Sequence, residues 1–593
     1  MNCGEARFGA QQFRDTARFL CASAAATPVH LLSLMLLLSA LAVPTDGQTL
    51  PGTYSLVRAT ATPAGWAQNW TAQLAGTSGW TGADGLYAIP MNGNRKLGSA
   101  YDTPGWQTFT FNDSLIGTIN EFDLRTGFRF INNSIGMYSG TGAAPTPISF
   151  KWKGDQSPPF DAAESMITGP VAGGLYWPLD GIVVPRAGGG QQFVQFAMKI
   201  DGGLTPTGVS QMTWPVPDGV DYAANWPYNG NRGDTWFSSF DSVGPLPNLY
   251  KPDPDGSGPT GELVMGTAIL DTSDPTTSYT ANGYVHIYGT RNDFLSKKVF
   301  VARAAPADVS NPAAWAFWNA SSGAWVTGTS AINSATPMRD TSNATLGDMA
   351  VEYSVTQLPD GRFVMVYLHA DALGTQISAR YASAPQGPWS ARQMLYNVSI
   401  PNSGNPALGL PNISDYSDWR YVIYGAKAHA QLSEAPSGPG AANAGQMLIS
   451  FNVNNWKTNG STSQPDPAWV YGSIYRPRFI SVDIVGVAPP VPGDYDNSGK
   501  VDAADYVLWR NTLGQSGAGL AADGNGNNQI DPGDYDVWRA HFGQTAGSGA
   551  GQGAAVVPEP TTLIILLVGM LAIFRCRCAA SCVFLTARSG PAM

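Results

Sequence analysis

Between residues 50 and 485 no long segment keeps an apolar period of 3.6 residues. Short alternating runs rich in Trp, Tyr, Phe and Val recur instead, punctuated by Gly, Pro, Asn and Asp. Aromatic and β-branched residues suit a pleated surface, and the punctuating residues make turns. That pattern restricts the body of the chain to an all-β fold. The runs fall into five groups, opened by Asp84, Asp180, Glu262, Glu352 and His429, at spacings of 96, 82, 90 and 77 residues. Five β units of that size suggest a five-bladed β-propeller over residues 50–485. A pair of β-sandwiches is the alternative. In a propeller the innermost strands face one axis, so residues far apart in sequence converge.

The first group carries the sharpest site signal. Trp80-Thr81-Gly82-Ala83-Asp84-Gly85 places a glycine-flanked acid just before an alternating strand. Glycine lets another molecule approach the backbone there. A plain turn explains Asp84 as well. Hydrolysis of a glycosidic bond needs one carboxylic acid to protonate the leaving oxygen and one carboxylate to attack or to activate water. Asp84, Asp180 and Glu352 supply such a trio, with Asp84 as base or nucleophile, Asp180 as orienter and Glu352 as general acid. Glu262 is a reserve acid. Lys427 and His429, two apart on a strand, share a face and are placed to bind sugar hydroxyls, with Asp113 near the same rim. Each also has a bland reading as a turn, a cap or a core contact.

Composition narrows the partner. Charged residues make up 13% of the chain and aromatics 11%. So few Lys and Arg make a poor nucleic-acid binder, whereas aromatics suit the flat C–H faces of sugars. All five cysteines lie near the ends, at 3, 21, 576, 578 and 582, so the body has no disulfide and no disulfide-linked partner. Arg7, Arg14 and Arg18, an apolar run at 31–43 and Ala40-Leu41-Ala42 read as a secretory signal over residues 1–48.

The motifs, in order, resemble a known family. Residues 80–87, Phe111-Asn112-Asp113-Ser114, Asn133-Ser134, residues 176–181, Gly387-Pro388-Trp389-Ser390, residues 426–433 and Ile449-Ser450-Phe451-Asn452-Val453-Asn454 carry the likeness. It is similar to secreted bacterial five-bladed propellers carried as a domain of unknown function. Those in turn resemble five-bladed glycoside hydrolases such as arabinanases and levanase-type fructosidases. The resemblance covers roughly residues 55–485 and implies a polysaccharide substrate, furanose-rich or related. This chain departs from the family pattern at Asn112 and Ser114, at Asn132, and at Lys427 and Ala430. A non-catalytic carbohydrate-binding or surface-display propeller is the second implication.

After a linker at 486–492, Asp494-x-Asp496-x-Ser498-Gly499-Lys500-x-Asp502-x-x-Asp505 matches a twelve-residue calcium loop. Oxygen ligands fall at positions 1, 3, 5, 9 and 12, glycine at 6 and a backbone carbonyl, Lys500, at 7. Asp523, Asn525, Asn527, Gln529, Asp531 and Asp534 repeat it, with Asn528 in the glycine position. Each loop leads into a short helix. The pair, over 493–544, resembles a dockerin type I module, which implies two Ca²⁺ ions and a cohesin-like partner. A flexible stretch at 545–556 follows. Val557-Pro558-Glu559-Pro560, an apolar run at 561–574 and Arg575-x-Arg577 resemble a PEP-CTERM sorting signal at 557–577, ahead of a tail at 578–593. The resemblance implies an exosortase-type enzyme, a transient membrane segment and a secreted or cell-surface protein. A simple C-terminal anchor is the alternative.

Overall fold

The computed structural model describes Thr49 and residues 53–57, 65–167, 175–186, 188–200, 205–216, 248–252, 260–293, 296–369, 374–457, 465–488, 491–496 and 498–545. The expected leader at 1–48, the sorting signal at 557–577 and the tail lie outside them. No helix among the described residues is long and apolar enough to cross a membrane. The chain divides into two compact units, with the boundary between Val487 and Ala488.

The first unit is mostly antiparallel β-sheet. Its strand groups pair internally in chain order. Tyr87–Pro90, Gly105–Phe111, Ser134–Gly140 and Ser149–Lys151 form one sheet. Leu175–Pro185, Gln191–Ile200 and Pro206–Val216 form the next. Thr260–Thr272, Tyr284–Asp293, Ser296–Ala304 and two short strands are joined to Met349–Gln357, Phe363–His369, Gln376–Ala382 and Gln393–Asn397 by the pairing of Lys297 with Met349. Trp419–Ala428, Gly445–Lys457 and Pro477–Val487 complete the series, and the early strand Thr53–Leu56 pairs antiparallel with Pro477–Val487. The start of the unit is thus stitched to its end.

The first strands of successive groups lie side by side, from Tyr87–Pro90 through to Trp419–Ala428. The last meets the first again, since the Gln431 amide donates to the Ala88 carbonyl at 2.9 Å. Apolar layers fill the gaps between neighbouring groups. Ile89, Met137, Phe193 and Trp214 fill one, Phe196, Ile269, Ile287 and Trp315 the next. Tyr288, Tyr353, Met365 and Trp389 fill a third, and Val364, Ile377, Ile423 and Phe451 a fourth. Trp70, Phe109 and Tyr138 close the circuit against Leu448 and Phe479. Most strands are therefore buried on both faces, as Gln191–Ile200 is. That explains runs of apolar residues where a one-sided sheet would alternate. Each such side chain is worth roughly 1.5–3 kcal/mol when fully buried.

Two elements escape the alternation pattern. A short helix, Trp66–Gln73, buries Trp70 in the closing layer. A separate sheet, Ser78–Ala83, Ser114–Ile119 and Arg125–Ile131, stands beside the first group. Its last strand is exposed along most of its length.

Among its described residues the second unit holds two helices, Ala503–Thr512 and Pro532–His541, each opened by a capping box, Asp502 with Asp505 and Asp531 with Asp534. They are tied reciprocally. The Trp509 indole donates to the Asp531 carbonyl at 2.9 Å, and the Trp538 indole to the Asp502 carbonyl at 2.8 Å.

Candidate active site

Asp84 lies where the Ser78–Ala83 strand hands over to Tyr87–Pro90. Gly85 follows with φ +61°, and a β-carbon there would run into the Asn112 side chain, so the turn needs glycine. The Asp84 N–H donates to the Asp113 carbonyl at 3.3 Å, and the Asn112 N–H to the Asp84 carbonyl at 2.9 Å. Two acids are thereby fixed side by side. The hydroxyls of Tyr424 and Tyr475 donate to Asp84 Oδ2 at 2.6 and 3.0 Å. Asp84 Oδ1 is buried and has no partner among the described residues.

Burial first, and the neighbouring Asp113 charge second, push the Asp84 carboxyl up to about 8, against the two tyrosine hydroxyls. Burial raises Asp113 to about 6, and the Trp177 indole, donating to Asp113 Oδ1 at 2.9 Å, opposes that rise. Glu352 enters from Met349–Gln357. It accepts at Oε1 from the Asn112 amide at 3.4 Å and pairs at Oε2 with the Lys427 ammonium. Lys427 lies 3.8 Å from the centre of the Tyr87 ring. Asp84, Asp113, Glu352 and Lys427 therefore share one site, with Asn112 bridging Asp84 and Glu352.

Asp180 is next door, in a different setting. Arg95 grips both its oxygens, at 3.1 and 2.8 Å, while the N–H groups of Gly181 and Ile269 donate at 2.8 Å each. Burial raises its pKa and Arg95 opposes the rise. Asp180 joins two inner strands and orients Arg95. A cavity runs beside it, lined by Tyr87, Arg95, Asp180, Ile269, Tyr353 and Lys427 among others. Tyr87 and Lys427 connect this cavity to the acid cluster.

Two further expected residues make no hydrogen bond or ion pair with these acids among the described residues. The strand carrying Lys427 ends at Ala428, and His429 follows it, its N–H donating to the Leu448 carbonyl at 2.9 Å. His429 caps a short turn, its Nε2 lies 2.8 Å from Ser450 Oγ, and its ring packs on Phe479. Burial, with Lys427 nearby, pushes it down to about 3, so it is neutral at ordinary pH. It lines the cavity as a wall residue. Glu262 lies seven residues from Ile269 on the same strand, roughly 20 Å along an extended chain. No hydrogen bond or ion pair ties it to the cluster among the described residues.

Tyr424, Tyr475, Trp177, Asn112 and Arg95 complete the site without having been singled out in the sequence. Asn112 and Trp177 fell within two of the motifs, Phe111-Asn112-Asp113-Ser114 and residues 176–181, and polar residues just beyond strand ends are the signal the first of these offered.

The second unit brings carboxylate oxygens of Asp494, Asp496 and Asp505 within 4.8 Å of one another. Asp494 accepts from the N–H groups of Ser498 and Gly499, and Asp505 from those of Tyr495, Asp496 and Asp502. Asp523 and Asp534 repeat this in the second loop, where Asn528 adopts φ +63°. The donor set is all oxygen and carries several charges, which fits Ca²⁺.

A family model described as a domain of unknown function (DUF5005) matches residues 270–494. No curated protein is similar in sequence. Among solved structures, a Bacteroides ovatus protein assigned as a hydrolase is 19% identical, with 70% of this chain and 89% of that chain covered and a TM-score of 0.45. The α-L-arabinofuranosidase of Podospora anserina, solved with cellotriose, is 12% identical, at 69% and 98% coverage and a TM-score of 0.26. The exo-β-1,3-galactanase of Phanerochaete chrysosporium is 10% identical, at 73% and 64% coverage and a TM-score of 0.28. With TM-scores this low, the functional reading rests on the site itself.

Proposed function

We propose that the chain hydrolyses glycosidic bonds of a polysaccharide at the cluster of Asp84, Asp113 and Glu352. Asp84 carries the reading. It is buried, keeps its proton near neutral pH, has one oxygen held by two tyrosines and leaves the other without a partner. A carboxyl of that kind beside one that titrates near 6 is an acid and base pair. Asp84 is the proton donor, and Asp113 with Glu352 supplies the carboxylates that attack or activate water. This exchanges the roles expected from sequence for Asp84 and Glu352. Asp180 positions the site through Arg95.

The strand groups and the five apolar layers support reading the first unit as a five-bladed propeller, with the cavity on its axis. The acidic loops of the second unit are proposed to hold two Ca²⁺ ions and to dock a cohesin-like module. Export by the leader and processing by an exosortase-type enzyme complete the proposal.

The test is release of reducing ends from linear arabinan, arabinoxylan and β-1,3-galactan by the full chain, beside Asp84→Asn and Glu352→Gln. Release that both substitutions abolish supports a hydrolase. A glycan bound, but not cut, by all three proteins supports the second reading, a binding module. One observation favours that reading: the oxygens of Asp180 and Glu352 are already taken by Arg95, backbone N–H groups, Asn112 and Lys427.

A further inference from the structure

Most large apolar side chains described in the first unit are buried; among the exposed ones, three aromatic rings cluster together. Phe128 and Phe130 are 41% and 43% exposed, and Trp469 is 38% exposed. The two phenylalanines are two apart on the Arg125–Ile131 strand and so share a face. Trp469 stacks on Phe128 with centroids 5.3 Å apart and planes at 4°, and meets Phe130 edge-on at 5.6 Å. On the ladder, Phe128 lies opposite Gly117, where a β-carbon would collide with it. The two strands approach closely there because the neighbouring one carries no side chain.

The group is held as a rigid platform. Arg125 donates from Nε to the Ala468 carbonyl at 3.3 Å and from Nη1 to Thr81 Oγ1 at 2.6 Å. It thus ties the strand to the short helix Pro467–Val470 that carries Trp469. The N–H of Gly472 donates to the Asp123 carbonyl at 2.8 Å, and Leu124 bridges to Tyr471. Such fixing lowers the entropy lost when a ligand lands.

The platform is continuous with the acid cluster. Trp469 lies 6.4 Å from Tyr475, whose hydroxyl reaches Asp84 Oδ2 at 3.0 Å. Tyr475 has φ +44°, so the chain turns sharply there and the ring bridges the two places. An unbroken row of rings therefore leads from Asp84 out to solvent.

We propose that Phe128, Phe130 and Trp469 form an outer subsite that holds a stretch of glycan chain leading to Asp84. This rests on the carbohydrate reading of the acid cluster and deepens it, because it makes an extended polymer the substrate class. Aromatic rings carry large contact area at low entropic cost and suit the apolar faces of sugars. Exposed apolar area that adjoins a polar cleft marks a recognition surface.

The experiment uses the full chain and the variants Trp469→Ala, Trp469→Phe and Phe128→Ala/Phe130→Ala. All the substituted side chains are partly exposed, and Tm is recorded for each. Affinity electrophoresis in linear arabinan, arabinoxylan or β-1,3-galactan reads binding. Reducing-end assays on each polymer, and on its dimer and trimer, read turnover. Expected is about a tenfold loss of polymer affinity, or rise in KM, for Trp469→Ala and the double variant. Trp469→Phe recovers most of it, and kcat on the shortest substrate does not change. A wild type that binds a polymer without cutting it, with binding lost in Trp469→Ala, sinks the hydrolase reading and keeps the subsite. Unchanged polymer KM and affinity in every variant, or no binding of any polymer by the wild type, overturns the subsite. So does concentration-dependent dimerisation abolished by Phe128→Ala/Phe130→Ala, since the occupant is then a second copy.

Discussion

Asp84 is a carboxyl placed where its charge is unwelcome. Burial, Asp113 and Glu352 all favour the protonated form, while the hydroxyls of Tyr424 and Tyr475 favour the charged one. Its pKa, about 8 when folded, lies far above the ordinary carboxylate value. The folded state therefore binds a proton that the unfolded state has released across the interval from about pH 4 to about 8. Within that interval the contribution of Asp84 to stability is full at the acid end and is lost as pH rises. Asn carries no titrating proton. The prediction is that Asp84→Asn melts close to wild type near pH 4 and increasingly above it toward pH 8, with a plateau beyond. Calorimetry of the two proteins over that range checks it, and a constant difference in Tm would count against the raised pKa. A linked prediction concerns activity. Asp84 and Asp113 titrate as a pair with apparent values near 8 and 6, so turnover peaks between them and falls on both sides. A rate still rising above pH 9 would remove Asp84 as proton donor. The acids of this site were legible because a glycine-flanked Asp before a strand, and Asn-Asp-Ser after one, are short-range signals. Tyr424 and Tyr475 were not, since nothing local in either stretch names Asp84 as the partner.

At the scale of the strand, the site depends on irregularity. Leu175–Pro185, Thr260–Thr272, Met349–Gln357 and Trp419–Ala428 each carry extra residues relative to their partners, between 178 and 181, 265 and 268, 349 and 353, and 424 and 427. Asp180 and Glu352 lie within such bulges. In a regular strand, residues three apart face opposite sides. The bulge at Gly425 and Ala426 changes that, so Tyr424 reaches Asp84 while Lys427 reaches Glu352. A bulge between 265 and 268 likewise separates Glu262, a group-opening acid like the others, from the part of its strand that meets Asp180. Bulges shift the register by amounts that apolar alternation does not record. Gly425 has φ +64°, and a β-carbon there would lie 2.8 Å from Glu352 Oε2 and 2.5 Å from Asn452 Nδ2. Gly425→Ala is expected to cost about 1–3 kcal/mol of stability and to lower turnover far more than an Ala at an exposed loop glycine such as Gly283. Urea denaturation and kcat on a polymer that the wild type cuts measure both. An unchanged kcat would show that the bulge is not what aims Lys427.

At the scale of the molecule, two units with different sources of stability share one chain. The first was legible as all-β because its apolar runs are short and dense, and because aromatic residues cluster in them. The extra sheet of Ser78–Ala83, Ser114–Ile119 and Arg125–Ile131 was not, since its strands interrupt the first group and pair across it. The described part of the second unit is small, and its core is little more than Tyr495, Trp509, Ala522 and Ile530 with a few partly buried neighbours. So small a core supplies only a few kcal/mol. Meanwhile Asp494, Asp496 and Asp505 converge with like charges, which costs stability in the absence of a cation. A Ca²⁺ ion bound there, as proposed, would offset that cost. At a free concentration a hundredfold above its Kd, one bound ion adds about 2.7 kcal/mol, and for a domain this small that moves Tm by roughly 10 °C or more. The first unit has no such dependence in its proposed mechanism. Chelation by EDTA is therefore expected to lower one thermal transition by that amount, to leave a second transition in place and to leave polysaccharide turnover unchanged. Asp505→Ala, which removes a buried carboxylate that also caps the first helix, is expected to lower the same transition and to make it less responsive to calcium. If EDTA shifts neither transition, the acidic loops are held by their backbone hydrogen bonds alone and the calcium proposal fails. If it shifts both, the two units do not melt independently, and the stability of the active site is coupled to the ion.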